Sequence, residues 1–381
     1  MKNLGLYIHI PFCVKKCNYC DFYSLGCPSH ENTEEYVRAL CTHIGWEGKK
    51  RRDKIVDTVF IGGGTPSVLS ENSIKSLITC LKNSFNIADD AEISIEVNPG
   101  TVTKEKAMLY RSLGINRVSM GLQSVNDNEL KMLGRIHTFD EFKSSYKALR
   151  DGGIDNINID IMYALPNQKT ADLIKTVDSV CEFEPSHISA YCLKIEENTH
   201  FYKIKDTLCL PDEDEQYNMY LTLCDRLEKM GYEQYEISNF AKKGSRCVHN
   251  LKYWLSCEYL AFGPSAHSFV DGVRYSYKGD IKEYVGAIKS GQEPNKILEA
   301  EYTLTEEEKI DEYVMLRMRL ADGVDTEEFL SRFGISFIDR YPKLKKYEKD
   351  GYVIHQNGKY AFTKKGFFVS NFILSDILEN I

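Results

Sequence analysis

No stretch of this 381-residue chain reaches about 18 consecutive apolar residues, the length that a membrane span needs. The apolar run Gly5–Ile10 is interrupted by His9 and followed by Pro11, so it reads as a strand and not as a signal peptide. Basic excess is also missing. The formal net charge of −8 argues against a general nucleic-acid binder. The one basic cluster, Lys49-Lys50-Arg51-Arg52, reads as a solvated helix end or loop. Twelve cysteines without a secretory leader point to a reducing compartment, the cytoplasm, and away from disulfides.

What is there is ordinary for a soluble globular protein: 43% hydrophobic and 27% charged residues. The length suits more than one domain. The unusual stretch is Cys13-Val-Lys-Lys-Cys17-Asn-Tyr-Cys20, three thiols within eight residues. Thiolates this dense on one loop can converge on a small inorganic core, as an iron–sulfur cluster requires. Structural zinc is the competing reading, but it wants four ligands, usually as paired C-x2-C motifs. The next position that would extend the series is Phe22. Three ligands on a four-iron cube leave one iron open to a substrate. The nine remaining cysteines (Cys27, Cys41, Cys80, Cys181, Cys192, Cys209, Cys224, Cys247 and Cys257) are scattered in mostly apolar surroundings and read as packing thiols.

Up to about residue 205, short β-rich runs alternate with helical periods. The strands expected are Gly5–Ile10, Thr58–Ile61, Glu92–Val97, Arg117–Gly121, Asn156–Ile161 and His187–Tyr191. Helices are expected over Thr33–Trp46, Glu71–Asn83, Lys104–Leu113, Phe139–Arg150 and Ala171–Cys181, with Ser70 and Thr103 as N-caps. The alternation implies a parallel sheet with crossover helices, either a partial barrel or a doubly wound open sheet. Cys13, Gly62-Gly63-Gly64, Glu96, Gln123 and Asp160 fall at or just after strand C-termini. That edge is where parallel α/β folds bind ligands.

Beyond residue 205 the pattern changes. A helix runs from Pro211 to about Lys229, and Tyr232–Ile237 alternates like a strand. The stretch Asn239 to Ser268 holds His249-Asn250-Leu251-Lys252-Tyr253-Trp254, which suits either an aromatic packing corner or a porphyrin contact, and His267. From Thr305 the order is helix, helix, helix, hairpin around Asn357-Gly358, helix, which is winged-helix-like. The closing helix carries Phe367, Phe368, Phe372, Ile373, Ile377 and Leu378, for core packing or for a peripheral membrane or partner contact. The regions expected are 1–205, 206–300 and 301–381.

The cysteine spacing resembles the radical S-adenosylmethionine (SAM) superfamily. Tyr7-Ile8-His9-Ile10-Pro11-Phe12-Cys13 and Tyr19-Cys20-Asp21-Phe22 resemble its group around oxygen-independent coproporphyrinogen III oxidase. The true oxidases carry a further Cys where this chain has Phe22, and extra residues ahead of the loop, where twelve precede Cys13 here. Both features, with His-Asn-x-x-Tyr-Trp, resemble the haem chaperone (HemW) branch. The resemblance implies an α/β fold, a partial (β/α)6 barrel, with a [4Fe–4S] cluster on Cys13, Cys17 and Cys20 and SAM on the open iron. It implies SAM contacts from Tyr7, the Gly63-Gly64-Thr65 loop, Glu96 and Gln123, with Phe22 beside the cofactors. Arg135 suits SAM's carboxylate, and Asp160 its ribose hydroxyls. It also implies a haem role for His249 and transfer of haem to an acceptor protein. The alternative is a radical oxidative decarboxylase acting on coproporphyrinogen III, or another tetrapyrrole-modifying enzyme, fed by an electron donor.

Overall fold

The computed structural model describes residues 3–26, 29–292 and 297–378; Cys27 lies outside them. Six parallel strands, β1 (Asn3–Ile10), β2 (Ile55–Gly63), β3 (Asn86–Val97), β4 (Arg117–Gln123), β5 (Asn156–Tyr163) and β6 (His187–Cys192), are neighbours in chain order. Sequential order carries every crossover the same way round. A doubly wound sheet needs a point where the order reverses, and among these six strands there is none, so they form a partial barrel. Both faces of the sheet are covered; every residue of β4 is buried, Arg117, Ser119 and Gln123 included.

The intervening helices are α1 (His30–Lys50), α2 (Glu71–Ser84), α3 (Lys104–Ser112), α4 (Asp127–Met132), α5 (Phe139–Asp151) and α6 (Thr170–Cys181). Ser70 and Thr103 cap α2 and α3 through their hydroxyls, and Thr138 forms a capping box with Glu141 on α5. Helix α1 extends past the expected bounds at both ends. Ser29 caps its start, and Lys49 and Lys50 form its last turn, where cations suit the dipole.

The sheet does not stop at six strands. Beyond β6 lie β7 (Glu233–Gln234) and β8 (Asn239–Ala241), both antiparallel. The expected strand Tyr232–Ile237 shrinks to β7 because the chain turns: Tyr235 N donates to Asn239 O, and Ile237 N to Arg319 O. On the other side β9 (Tyr259–Phe262) runs parallel to β1. After it, β10 (His267–Val270), β11 (Val273–Tyr277) and β12 (Leu298–Thr303) continue antiparallel, completing twelve strands. Two further helices matter below: α7 (Glu213–Lys229), capped by Asp212, and α8 (Val248–Trp254).

The C-terminal region packs four helices (Glu306–Arg317, Thr326–Phe333, Phe337–Arg340, Leu344–Lys349) against a three-stranded sheet of 324–325, 353–356 and 359–362. Asn357 and Gly358 both take positive φ at the hairpin, as a tight type I′ turn requires. The closing helix is two pieces, Lys364–Phe368 and Ser370–Ile377, broken at Val369. Phe367, Ile373, Ile377 and Leu378 are buried, and Phe372 is 70% exposed. Core packing therefore accounts for most of that apolar stripe. Among the described residues no helix is long and apolar enough to cross a membrane.

Candidate functional site

The cysteine loop leaves β1 at its C-terminal end and is held by backbone bonds that involve no sulfur. Leu25 N donates to Pro11 O at 2.7 Å, Asn18 N to Leu133 O at 2.9 Å, and Phe201 N to Asn18 O at 2.9 Å. The Asn18 amide adds a bond to Met132 O at 2.8 Å. The loop is thus preorganised by other parts of the barrel. Cys13 is buried, while Cys17 and Cys20 are partly exposed. Burial raises the Cys13 thiol and pushes Cys20 up to about 11, so iron taking these sulfurs displaces protons. Among the described residues no three His, Cys, Asp or Glu side chains converge closely enough for a single metal ion. A cubane takes one thiolate per iron, so its donors stand further apart. The donor set fits such a cluster.

The glycine loop closes over this one. Gly64 N donates to Ile10 O at 2.9 Å and Thr65 N to Phe12 O at 2.7 Å. A Cβ on Gly64 would meet Phe12 O at 2.7 Å and Cys13 Sγ at 3.0 Å, so only glycine lets the two loops touch. The Thr65 hydroxyl faces Cys13 Sγ at 3.4 Å and accepts from Asn98 Nδ2 at 2.8 Å. Arg135 extends the chain of contacts: Nη2 donates to Asn98 Oδ1 at 2.7 Å and to the Gly121 carbonyl, and Nη1 faces Cys17 Sγ at 3.5 Å. Its Nε is buried without a partner. A cleft lined by Val14, Cys17, Thr65, Asn98, Arg135 and Ile136 opens between the loops.

Two carboxyls sit deeper. Glu96 accepts from Gly63 N at 3.0 Å, and burial, reinforced by Asp160, raises it to about 8. Asp160 is also raised by burial; it accepts from Asn158 Nδ2 at 2.7 Å and from the Ser119 hydroxyl at 3.2 Å. Gln123 is buried at φ 76°, a left-handed conformation rare outside glycine, at the bulged end of β4. The Tyr7 hydroxyl shares a 3.1 Å hydrogen bond with His9 Nδ1, and His9 Nε2 lies 2.9 Å from Tyr23 O. The structure therefore gathers Cys13, Cys17, Gly63, Gly64, Thr65, Glu96, Arg135 and Asp160 along one edge. Phe22 projects from the loop, 69% exposed. Sequence reading missed Asn98, the link between Thr65 and Arg135, although its place beside Glu96 at a strand end was a usable signal.

His249 does not sit as an open iron ligand. It is fully buried, with Nδ1 2.9 Å from Thr58 Oγ1 and Nε2 2.9 Å from Tyr253 Oη. Glu92 accepts from its backbone N–H at 3.0 Å, and Lys252 pairs with Asp57 at 2.6 Å. Helix α8 is pinned to β2 through Asp57 and Thr58 and to β3 through Glu92, and the Phe60 ring stacks between His249 (5.3 Å) and Tyr7 (6.3 Å). Burial lowers the imidazole to about 3, so it stays neutral. His249→Ala is therefore expected to lower unfolding free energy by about 3 kcal/mol, since Thr58 and Tyr253 would lose partners around a cavity. Urea unfolding of the metal-free protein measures this; an unchanged midpoint would contradict it. His267 is exposed on β10.

Residues 7–180 match the model of the Radical SAM superfamily, and residues 304–369 match the HemN C-terminal domain. The chain is 33% identical to the protein named heme chaperone HemW of Bacillus subtilis, over 98% of this chain and 99% of that one. It is 36% identical to the HemW of Haemophilus influenzae, over 99% and 97%. The chain belongs to the HemW family of the radical SAM superfamily. The solved coproporphyrinogen III oxidase (HemN) from Escherichia coli superposes with a TM-score of 0.87, at 23% identity, over all of this chain and 90% of that one. That likeness shows the fold of the HemW-like chain. The superfamily implies a [4Fe–4S] cluster and SAM.

Proposed function

We propose that this protein carries haem and passes it to an acceptor protein from the edge where the cysteine and glycine loops meet. Cys13, Cys17 and Cys20 would hold a [4Fe–4S] cluster. SAM would lie over the Gly63-Gly64-Thr65 turn, near Glu96, Gln123 and Tyr7, with the orphaned Nε of Arg135 available to its carboxylate and Asp160 to its ribose. The cluster, when bound and reduced, supplies an electron. The chain's own residues orient the ligands: Asn98 fixes Thr65 and Arg135, and Ser119 and Asn158 fix Asp160. An electron donor is a partner only if the cluster is reduced, and a cytoplasmic setting fits the free thiols.

The observation that carries the haem reading is an apolar rim around this polar edge. Val14 (48%) and Ile136 (57%) line the cleft and Phe22 (69%) is carried on the same loop as Val14, so three large apolar side chains are exposed on this loop and its neighbour. A large flat apolar ligand with charged edges would cover them. The proposal does not use His249, whose nitrogens are both engaged.

The test is an anaerobic haem titration of the cluster-reconstituted protein, followed by absorbance. Saturable binding of one haem per chain is expected, weakened about tenfold in Phe22→Ala through lost apolar burial. Unsaturable uptake that is unchanged in the variant sinks the reading and turns attention to turnover of coproporphyrinogen III.

A further inference from the structure

Two thiols outside the cysteine loop meet on the outer layer of the barrel. Cys41 lies on α1 and Cys80 on α2. Cys80 Sγ is 3.3 Å from the carbonyl of Cys41, and Cys41 Sγ is 3.9 Å from the carbonyl of Ser76, one helical turn before Cys80. Each sulfur thus rests against the backbone of the other helix. Both are partly exposed, so a small reagent reaches them. Nothing in the cluster, SAM or haem reading uses either residue.

We propose that Cys41 and Cys80 form a reactive dithiol that closes to an intramolecular disulfide by exchange with a small organic disulfide. The Cys80 thiolate attacks one sulfur of the reagent, whose S–S bond breaks and releases one thiolate. Cys41 gives its proton to solvent and attacks the Cys80 sulfur of the mixed disulfide, releasing the second thiolate. The pair loses two electrons and the reagent gains two, becoming two thiols. Reactivity falls to Cys80 because the close approach of the two side chains lowers its thiol and raises that of Cys41. The consequence reaches the site through the chain: α1 follows the cysteine loop and α2 follows the glycine loop, so the bond staples the two units that carry them.

The probe is oxidised glutathione, added anaerobically to cluster-reconstituted protein. Samples are quenched by alkylation and read by mass spectrometry of unreduced peptides. A peptide pair linked through Cys41 and Cys80, two hydrogens lighter than the free thiols, is expected before glutathione adducts appear at Cys181, Cys192 or Cys257. In Cys41→Ser the reaction stops at a glutathione adduct on Cys80. Its rate at pH 7 falls roughly threefold, the loss of thiolate being partly offset by greater nucleophilicity. The midpoint of its pH–rate curve also moves up toward that of an ordinary thiol. The isosteric variant keeps its circular dichroism, and an unchanged cluster absorbance excludes iron loss as the source of new thiols. Absence of the linked pair, or a Cys80 rate and pH midpoint identical in Cys41→Ser, overturns the proposal.

Discussion

Cys20→Ala is expected to leave the reconstituted protein colourless, with iron and sulfide falling to background while the fold is kept. The fold survives because the loop is anchored by Pro11, Asn18 and Leu25 through backbone and amide bonds, with Leu133, Met132 and Phe201 as the outside partners, none of which needs a thiol. The cluster does not survive, because three thiolates on a cube already leave one iron without protein sulfur. Losing another leaves two irons exposed to solvent and small thiols. Iron and sulfide assays beside circular dichroism measure both halves of the expectation. Phe22→Ala is the control: its side chain projects outward, so iron content should be unchanged. A brown Cys20→Ala protein with full iron would remove Cys20 from the ligand set.

The second large effect is a pH dependence of stability. Burial, with Asp160 adding to it, raises Glu96 from the usual 4.5 to about 8. The folded protein therefore binds a proton that the unfolded chain releases above about pH 4.5. Stability from this group is fully present below that pH and is lost as pH rises through about 8. The ceiling is on the order of 5 kcal/mol, since each tenfold change in proton affinity corresponds to about 1.4 kcal/mol. Asp160, also raised by burial, acts with the same sign. Urea unfolding of the metal-free protein should show lower stability at pH 8 than at pH 5, and Glu96→Gln should remove most of the difference. An equal slope in the variant would assign the effect elsewhere. A cation arriving beside Glu96 would release this proton.

The parallel half of the fold was legible because its strands are short β-rich runs, set between helical periods and ending near glycine or a polar residue. Arg117 to Gln123 shows why: seven buried residues carry the strand, and Gln123 is the polar stop. Order along the sheet was not legible, since alternation alone suits a barrel and an open sheet equally. Strands β9 to β12 were missed for a different reason. Phe262-Gly263-Pro264-Ser265 carries turn residues that read as a break, yet it links β9 to β10 within the sheet, with Gly263 at φ 106° giving way to the Tyr36 hydroxyl. The surroundings of His249 were not legible because an aromatic-rich stretch does not reveal which way it faces. Its burial is decided by Glu92, Asp57 and Thr58, all far upstream in the sequence. Arg135 was found only through resemblance, because its partners, Asn98 and Gly121, come from two other strands or their ends.

Strand β1 lies between β2 and β9, and Gly5 N donates to Glu258 O at 3.0 Å. During synthesis, this strand therefore waits for the stretch that separates Gly5 from Tyr259 before its second edge is covered. Until then it presents open hydrogen-bonding groups and an apolar surface to other nascent chains. Native pairing reaches from Gly5 to Tyr259, so this closure is among the late events of maturation. The cysteine loop is thus made well before the sheet that supports it is sealed.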